Sequence, residues 1–336
     1  DIPGLNYRTQ RYKESYDQLP QNLILGSETA STVSSRGVYK FPVEDKKSTK
    51  YEDHQCSSYD VEACSWSNIP DEDFALADDN HWTIGQFVWT GFDYLGEPSP
   101  YDTDAWPNHS SMFGIIDLAS LPKDRYYLYR SVWNKDAETL HILPHWTWPG
   151  REGEVTPIFV YTNYPTAELF INGKSYGKQS KNNSSLKNRY RLMWMDAVYE
   201  PGEVKVVAYN KDGKAVAEKT VRTAGKPHHI ELVSNRNELT ADGKDLAYVT
   251  VKVVDKDGNL CPTDNRQINF SAKGAGKYRA AANGDPTNLE QFHLPKMHAF
   301  NGMLTAILQA GETAGEIVFT AKANGVKAGN IRIQTK

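Results

Sequence analysis

The chain has 336 residues, of which 39% are hydrophobic and 24% are charged. This composition is typical of a folded globular protein, and the length allows two or three domains because single cores rarely exceed about 250 residues. The net charge of −4 provides no basic surface for nucleic acid, and no apolar run approaches the roughly 18–20 residues that cross a bilayer, so neither a nucleic-acid partner nor a membrane span is predicted.

Three strand and helix pairs are predicted in the first part of the chain. A short strand at residues 2–7 is followed by a helix at residues 8–19, whose apolar residues are spaced three and four apart. The elements that follow are a strand at 23–25, a helix at 71–79, a strand at 84–89 and a helix at 123–133. Such alternation is typical of a parallel sheet.

Three pairs cannot complete this fold, because the first strand would keep an unpaired edge and one face of the sheet would lie open. We therefore predict that residues 1–135 are the carboxyl-terminal part of a (β/α)8 TIM barrel, strands 6–8. The earlier strands are expected to precede residue 1.

The pattern changes after residue 135 to short alternating strands separated by turn pairs such as Asn172-Gly173 and Asp212-Gly213. This rhythm predicts a β-sandwich. A linker at residues 223–227 precedes a second series of alternating strands. We predict two immunoglobulin-like β-sandwich domains, at residues 136–225 and 226–336.

Glu28, in the segment "NLILGSETAS", is the first candidate for chemistry. It follows a buried strand and has small neighbours, and reactive groups of a (β/α)8 barrel lie at the carboxyl ends of strands. Alternatively, Glu28 caps a following helix or pairs with Arg36.

Two aromatic residues occupy equivalent places on the other predicted strands. Trp89 ends its strand and could form the floor of a sugar pocket, with Asp93 and Glu97 in the loop that follows, or it could pack in the core. Tyr7 ends the first strand, where its phenol could donate a hydrogen bond to a carboxylate on the next strand or simply pack.

The segment "LPHWTWPG" contains His145, Trp146 and Trp148 between two prolines. These rings could lean over the mouth of the cavity. They could equally wedge the barrel against the sandwich.

No metal or cofactor is predicted. The nine histidines show no metal-binding spacing, and the chain has no GxSxG, P-loop or GxGxxG motif. Cys56, Cys64 and Cys261 form neither a CxxC pair nor an even set, which predicts buried free thiols.

Several motifs in fixed order carry a family resemblance: "GLNYRTQRY", "LILGSETASTVSSRGVY", "GQFVWTGFDYLGEPSPY", "FGIIDLASLPKDRYYLYRSVW", "PHWTWPGREG" and "ELFINGKSYG". Together they resemble the carboxyl-terminal half of a family 2 glycoside hydrolase of the β-galactosidase type found in Bacteroidetes. The resemblance is dense up to about residue 180 and weaker over the last hundred residues.

The resemblance implies a retaining mechanism with two carboxylates. It places Glu28 as the nucleophile, Tyr7 as the residue that holds it, and Trp89 in the sugar pocket. The further pocket residues that it implies are Asn6, Asp93, Glu97, His145, Trp146 and Trp148.

One departure concerns the second carboxylate. The family's acid/base is a glutamate after an asparagine at the end of the fourth barrel strand, and the only such pair here, Asn237-Glu238, lies in the last domain. The chain alone is therefore expected to be inactive and to need the N-terminal half of the same enzyme as its partner.

These expectations describe an exo-acting β-glycosidase for β-linked glycans or oligosaccharides, with β-galactosides the first expected substrates and β-glucuronides or β-mannosides as alternatives. A periplasmic or secreted bacterial location is implied by the resemblance, and a homo-oligomer is left open. Two other interpretations are a carbohydrate-binding or adhesion protein with a degenerate barrel, and a last domain that is purely structural.

Overall fold

The computed structural model describes all residues from 1 to 336. They form two compact units, one of residues 1–117 and 122–221 and the other of residues 118–121 and 222–336. Below, residues 1–135 are called the sheet segment, residues 136–221 the first β module and residues 222–336 the second β module. None of the helices is long and apolar enough to cross a membrane.

The sheet segment contains the predicted alternation of strands and helices. Its elements are β1 (Gly4–Asn6), α1 (Tyr12–Gln18), β2 (Ile24–Thr29), β3 (Lys46–Lys47), β4 (Glu62–Ala63), α2 (Pro70–Asp79), β5 (Thr83–Val88) and α3 (Asp124–Trp133), with short 3-10 helices at Thr9–Arg11 and Asp102–Asp104. The strands β1, β2 and β5 pair in parallel in that order.

These three strands form an open sheet. A closed barrel of this type needs eight strands, so the predicted TIM barrel is not confirmed by the described residues. The helices begin where local chemistry favours them: α2 starts at Pro70, whose missing N–H is not needed in a first turn, and Asp71, Glu72 and Asp73 face the positive end of the helix dipole.

The first β module consists of two small antiparallel sheets and a short helix. Its elements are β6 (Leu140–Leu143), β7 (Ile158–Thr162), β8 (Thr166–Ile171), β9 (Lys174–Ser180), α4 (Leu186–Tyr190), β10 (Leu192–Trp194), β11 (Glu203–Tyr209) and β12 (Ala215–Arg222). The sheet orders are β10-β7-β6 and β12-β11-β8-β9. The predicted turn at Asn172-Gly173 joins β8 to β9, and both of its residues have positive φ.

The first β module and the sheet segment share a core. Tyr59, Phe74 and Leu128 of the sheet segment belong to the same buried cluster as Phe159 and Tyr161 of the module. The domain boundary predicted after residue 135 therefore stays a prediction, because packing continues across it.

A buried arginine strengthens this junction. The Arg191 guanidinium, fully buried just before β10, pairs with the Asp71 carboxylate of α2 and donates to the carbonyl oxygens of Tyr59 and Asp60 at 3.0 Å each. The Tyr59 hydroxyl donates to the Pro157 carbonyl at 2.6 Å.

The second β module contains the strands β13 (His229–Ser234), β14 (Glu238–Leu239), β15 (Leu246–Val254), β16 (Gln267–Gly274), β17 (Gly276–Ala282), β18 (Lys296–His298), β19 (Met303–Ala310), β20 (Gly315–Lys322) and β21 (Gly329–Thr335). They form two sheets, in the orders β13-β15-β19-β17 and β14-β21-β20-β16-β18. Alternate residues of β15, from Ala247 to Val253, are fully buried in a core that these strands build.

Candidate active site

Tyr7, Glu28 and Trp89 lie together at the carboxyl ends of three neighbouring strands. Asn6 of β1 pairs with Glu28 of β2, and the Tyr7 N–H donates to the Glu28 carbonyl at 2.7 Å. On the other side, the Trp89 N–H donates to the Thr29 carbonyl at 2.8 Å. The strand β2 continues to Thr29, so Glu28 belongs to the strand and not to the loop after it.

The Glu28 carboxylate accepts a hydrogen bond from the Tyr7 hydroxyl at 2.8 Å, and both side chains are half-buried. Burial raises the pKa of Tyr7 well above its usual value, and the adjacent carboxylate raises it further. Tyr7 therefore remains a neutral phenol that donates to Glu28 at physiological pH. The Arg36 guanidinium, the alternative partner of Glu28, pairs with the buried Asp117 carboxylate at 2.5 Å.

The loop after β5 brings a second acidic side chain to the rim of the site. The ring of Trp89 meets the ring of Tyr94 edge to face at 6.2 Å, and the Tyr94 hydroxyl donates to the exposed Glu97 carboxylate. After burial and the Glu28 carboxylate, the Glu97 charge also raises the pKa of Tyr7.

Asp93 has a different place from the one that the sequence suggests. Its side chain is buried, where it accepts from the Lys123 ammonium at 2.7 Å and from the Gly114 N–H at 2.8 Å. Burial raises the pKa of Asp93 to about 6 despite the neighbouring lysine. Asp93 therefore anchors the loop through buried contacts, and its side chain is not exposed at the surface beside Glu28.

Gly114 permits this close crossing of the chain. A Cβ at this position would lie 2.1 Å from the Asp93 nitrogen and 2.4 Å from the Ile116 carbonyl oxygen, which is too close for any side chain. Sequence analysis missed both Gly114 and Lys123, because neither is adjacent to Asp93 along the chain.

Asn6 is exposed at the end of β1. Its amide oxygen accepts from the Ser27 hydroxyl at 2.6 Å, which turns the amide towards β2. Asn6 is thus available at the surface next to Glu28.

Of the three aromatic residues of "LPHWTWPG", one is buried and two are half-buried. Trp146 is fully buried in the first β module, and its indole N–H donates to the Glu200 carbonyl. His145 and Trp148 stack at 4.0 Å, and both meet the ring of Tyr39 edge to face. Burial lowers the pKa of His145 to about 4, so it is neutral near pH 7. These rings fill the junction between the sheet segment and the first β module.

No group of three or more His, Cys, Asp or Glu side chains is arranged to hold a metal ion, and all three cysteines are buried free thiols. At the strand ends, the structure brings together the Glu28 carboxylate and the Tyr7 phenol.

Known family models match part of each β module. The family described as "Glycoside hydrolase family 2 C-terminal domain 5" matches residues 230–332, and a domain of unknown function matches residues 153–217. A protein named β-galactosidase BoGH2A from Bacteroides ovatus is 39% identical over the whole of this chain. Residues 230–332 therefore carry a glycoside hydrolase family 2 C-terminal domain, and the chain as a whole is similar to family 2 enzymes.

Other family 2 relatives have more than one named activity. A protein named putative β-glucuronidase from Formosa agariphila is 34% identical over 62% of this chain. A protein named β-galactosidase from Thermoanaerobacter pseudethanolicus is 29% identical over 78% of it.

Solved structures extend the likeness to the fold. A β-glycosidase from Bacteroides vulgatus matches 99% of this chain with a TM-score of 0.86 and 28% identity, and a family 2 glycosyl hydrolase from Bacteroides cellulosilyticus matches all of it with a TM-score of 0.81 and 27% identity. This chain spans 39% of the Bacteroides ovatus protein and 45% and 42% of the two solved chains.

Proposed function

We propose that this chain supplies the nucleophile of a retaining β-glycosidase and that Glu28 is that nucleophile. The observation that carries the proposal is the Tyr7 hydroxyl on the Glu28 carboxylate, at neighbouring strand ends of a chain similar to family 2 enzymes. Held by this bond, one carboxylate oxygen is oriented and the other is left for attack. Trp89, Asn6 and Glu97 border the same position and are proposed to form part of the sugar pocket.

In the first step a Glu28 oxygen bonds to the anomeric carbon, while the bond from that carbon to the leaving oxygen breaks. A general acid protonates the leaving oxygen. Water, deprotonated by the same group, then attacks the anomeric carbon and releases Glu28, so the configuration of the sugar is retained. The two carboxyl groups of such a pair lie about 5–5.5 Å apart.

We propose that the acid/base glutamate belongs to the N-terminal half of the enzyme and that this chain alone is inactive. The other carboxylate at the rim of the candidate site, that of Glu97, already accepts a hydrogen bond from the Tyr94 hydroxyl. We therefore do not assign it the acid/base role. In the whole enzyme, the sheet segment would contribute the last strands of a (β/α)8 barrel, and the two β modules would be immunoglobulin-like sandwiches.

The proposed substrates are terminal β-galactosides, because the Bacteroides ovatus relative that matches this whole chain is named a β-galactosidase. β-Glucuronides are the second candidate, because three relatives from Formosa agariphila carry β-glucuronidase names. The Bacteroides names among the relatives favour a periplasmic or secreted location.

Covalent labelling tests the nucleophile. An enzyme that contains this chain and the complementary half would be treated with a 2-deoxy-2-fluoro-β-galactoside, which forms the glycosyl intermediate but loses it slowly. Mass spectrometry of the digested protein should place the label on Glu28. The Glu97→Gln variant should still be labelled, whereas Glu28→Gln should not. A label on another carboxylate would overturn the assignment.

A further inference from the structure

A tight turn next to the candidate active site presents one exposed tryptophan. The Ser67 N–H donates to the Cys64 carbonyl at 3.0 Å, which closes a four-residue turn with Ser65 and Trp66 at its centre. The residues on either side, Cys64 and Ser67, are buried. Trp66 itself is 43% exposed.

The turn is tied at both ends to Ser31. The Cys64 N–H donates to the Ser31 carbonyl at 3.1 Å, and the Ser31 N–H donates to the Ser67 hydroxyl at 2.8 Å. Ser31 follows Glu28 by three residues, which is at most about 10–11 Å of extended chain. Through Ser31, the turn that carries Trp66 is tied to the chain just beyond the carboxyl end of β2, the strand that carries Glu28.

Two further contacts make the turn rigid. The Lys47 ammonium donates to the Ser67 carbonyl at 2.8 Å, and the Ser65 N–H donates to the Ser48 hydroxyl at 2.9 Å. The short parallel pairing of β3 with β4 holds the strand that leads into the turn. A large aromatic side chain on such a support loses little conformational freedom when a ligand covers it, so it can bind without reorganisation.

Trp66 is not a member of the buried hydrophobic clusters, and the N–H groups of Cys64, Ser65 and Ser67 around it are hydrogen-bonded. A flat ring exposed beside a sugar-cleaving carboxylate is suited to stacking against the apolar face of a pyranose ring.

We propose that Trp66 is a specificity-determining residue that binds the first aglycone sugar of a β-linked oligosaccharide. This inference rests on the function proposed above, because it takes Glu28 as the residue that attacks the anomeric carbon of the cleaved bond. The sugar on the leaving-group side lies next to the cleaved bond, and the Trp66 ring would stack on it.

Two substrates distinguish binding of the aglycone sugar by Trp66 from the bond cleavage itself. A β-galactosyl fluoride has a leaving group too small to reach Trp66, whereas a β-linked galacto-oligosaccharide has a sugar in that position. With the enzyme that contains this chain and its complementary half, Trp66→Ala should lower kcat/KM for the oligosaccharide roughly fivefold to tenfold, mainly through KM. The same variant should keep kcat/KM for the galactosyl fluoride within about twofold of the wild-type value.

Two control variants make the result specific. Trp66→Phe keeps a flat ring and should recover most of the oligosaccharide activity. Trp106→Ala removes a tryptophan that is 73% exposed on the loop after β5. It should leave kcat/KM unchanged for both substrates. Equal losses on both substrates, no loss with Trp66→Ala, or a selective loss only with Trp106→Ala would overturn the proposal. An enzyme inactive on the fluoride would instead refute the proposed function itself.

Discussion

The first and second β modules are built alike from two sheets but are stabilised differently. The first shares a core with the sheet segment and sends Arg191 into it, where the guanidinium meets Asp71 and two backbone carbonyls. The second has a hydrophobic core whose buried residues all come from this module, between Ile230 and Ile333. The first module is therefore part of the framework that supports the candidate active site, whereas the second needs no buried ion pair in its core.

The largest difference is expected for Glu28, the proposed nucleophile. If that role is right, Glu28→Gln should reduce kcat by about 10⁴-fold or more, measured in the enzyme that contains this chain and its complementary half. Glu316→Gln is the matched change in the second β module, where the carboxylate pairs with the exposed Arg332. It should leave kcat unchanged, and similar losses in the two variants would contradict the comparison.

The junction arginine should have the next largest effect, on stability. Arg191→Ala leaves the buried Asp71 carboxylate without its partner and should lower the free energy of unfolding by about 3–5 kcal/mol in urea titrations. The counterpart is Arg266→Ala, which removes a partly exposed pair with Asp264 and should cost about 1 kcal/mol. Equal costs would mean that the first module does not depend on its buried charge.

The hydrogen bond from Tyr7 to the proposed nucleophile should have a smaller effect. Tyr7→Phe deletes a bond to a charged group worth about 1.5–3 kcal/mol, so kcat/KM should fall roughly 10- to 100-fold. The control is Tyr209→Phe, which deletes a phenol bond to Glu168 on the surface of the first β module. A normal rate for Tyr7→Phe would show that Glu28 needs no support from β1.

The pH dependence of stability should differ between the units. Burial raises the pKa of Asp73 in α2 to about 7, from 3.8, although the Asn68 amide donates to it at 2.6 Å. The folded chain then holds a proton that the unfolded chain releases above about pH 4, so this group lowers stability as pH rises from about 4 to 7. The slope is at most about 1.4 kcal/mol per pH unit.

In the second β module the sign is reversed. Hydrogen bonds from Arg236, and then from the Thr240 N–H, lower the pKa of Asp245 to about 2. Its contribution is present above about pH 4 and is lost as pH falls towards 2. Urea titrations should show that Asp73→Asn flattens the curve between pH 4 and 7 and that Asp245→Asn flattens it only below pH 4. A change in the same pH range for both variants would be evidence against this assignment.

The sequence predicted the order of strands and helices in the sheet segment because their periodicity and flanking prolines are local signals. It also located Tyr7, Glu28 and Trp89, since each follows a short apolar run at a strand end. The pocket roles of these residues remain predictions.

Other features could not be read from the sequence because they depend on distant pairs. Asp93 and Lys123 are thirty residues apart, and Asp71 and Arg191 are 120 apart, so no local pattern reveals either bond. The strands β3 and β4 have two residues each, too few to show a period, and the turn that carries Trp66 was therefore not expected. Trp146 was read as a pocket residue because a buried tryptophan and a sugar-binding one look the same in a sequence.

Gly114 makes the candidate active site vulnerable to a mutation that touches no carboxylate. Because even one methyl group would collide with the backbone of Phe92, Asp93 and Ile116, Gly114→Ala must shift the loop that carries Tyr94 and Glu97. A survey of variants that looked only at charged residues would overlook such a steric displacement.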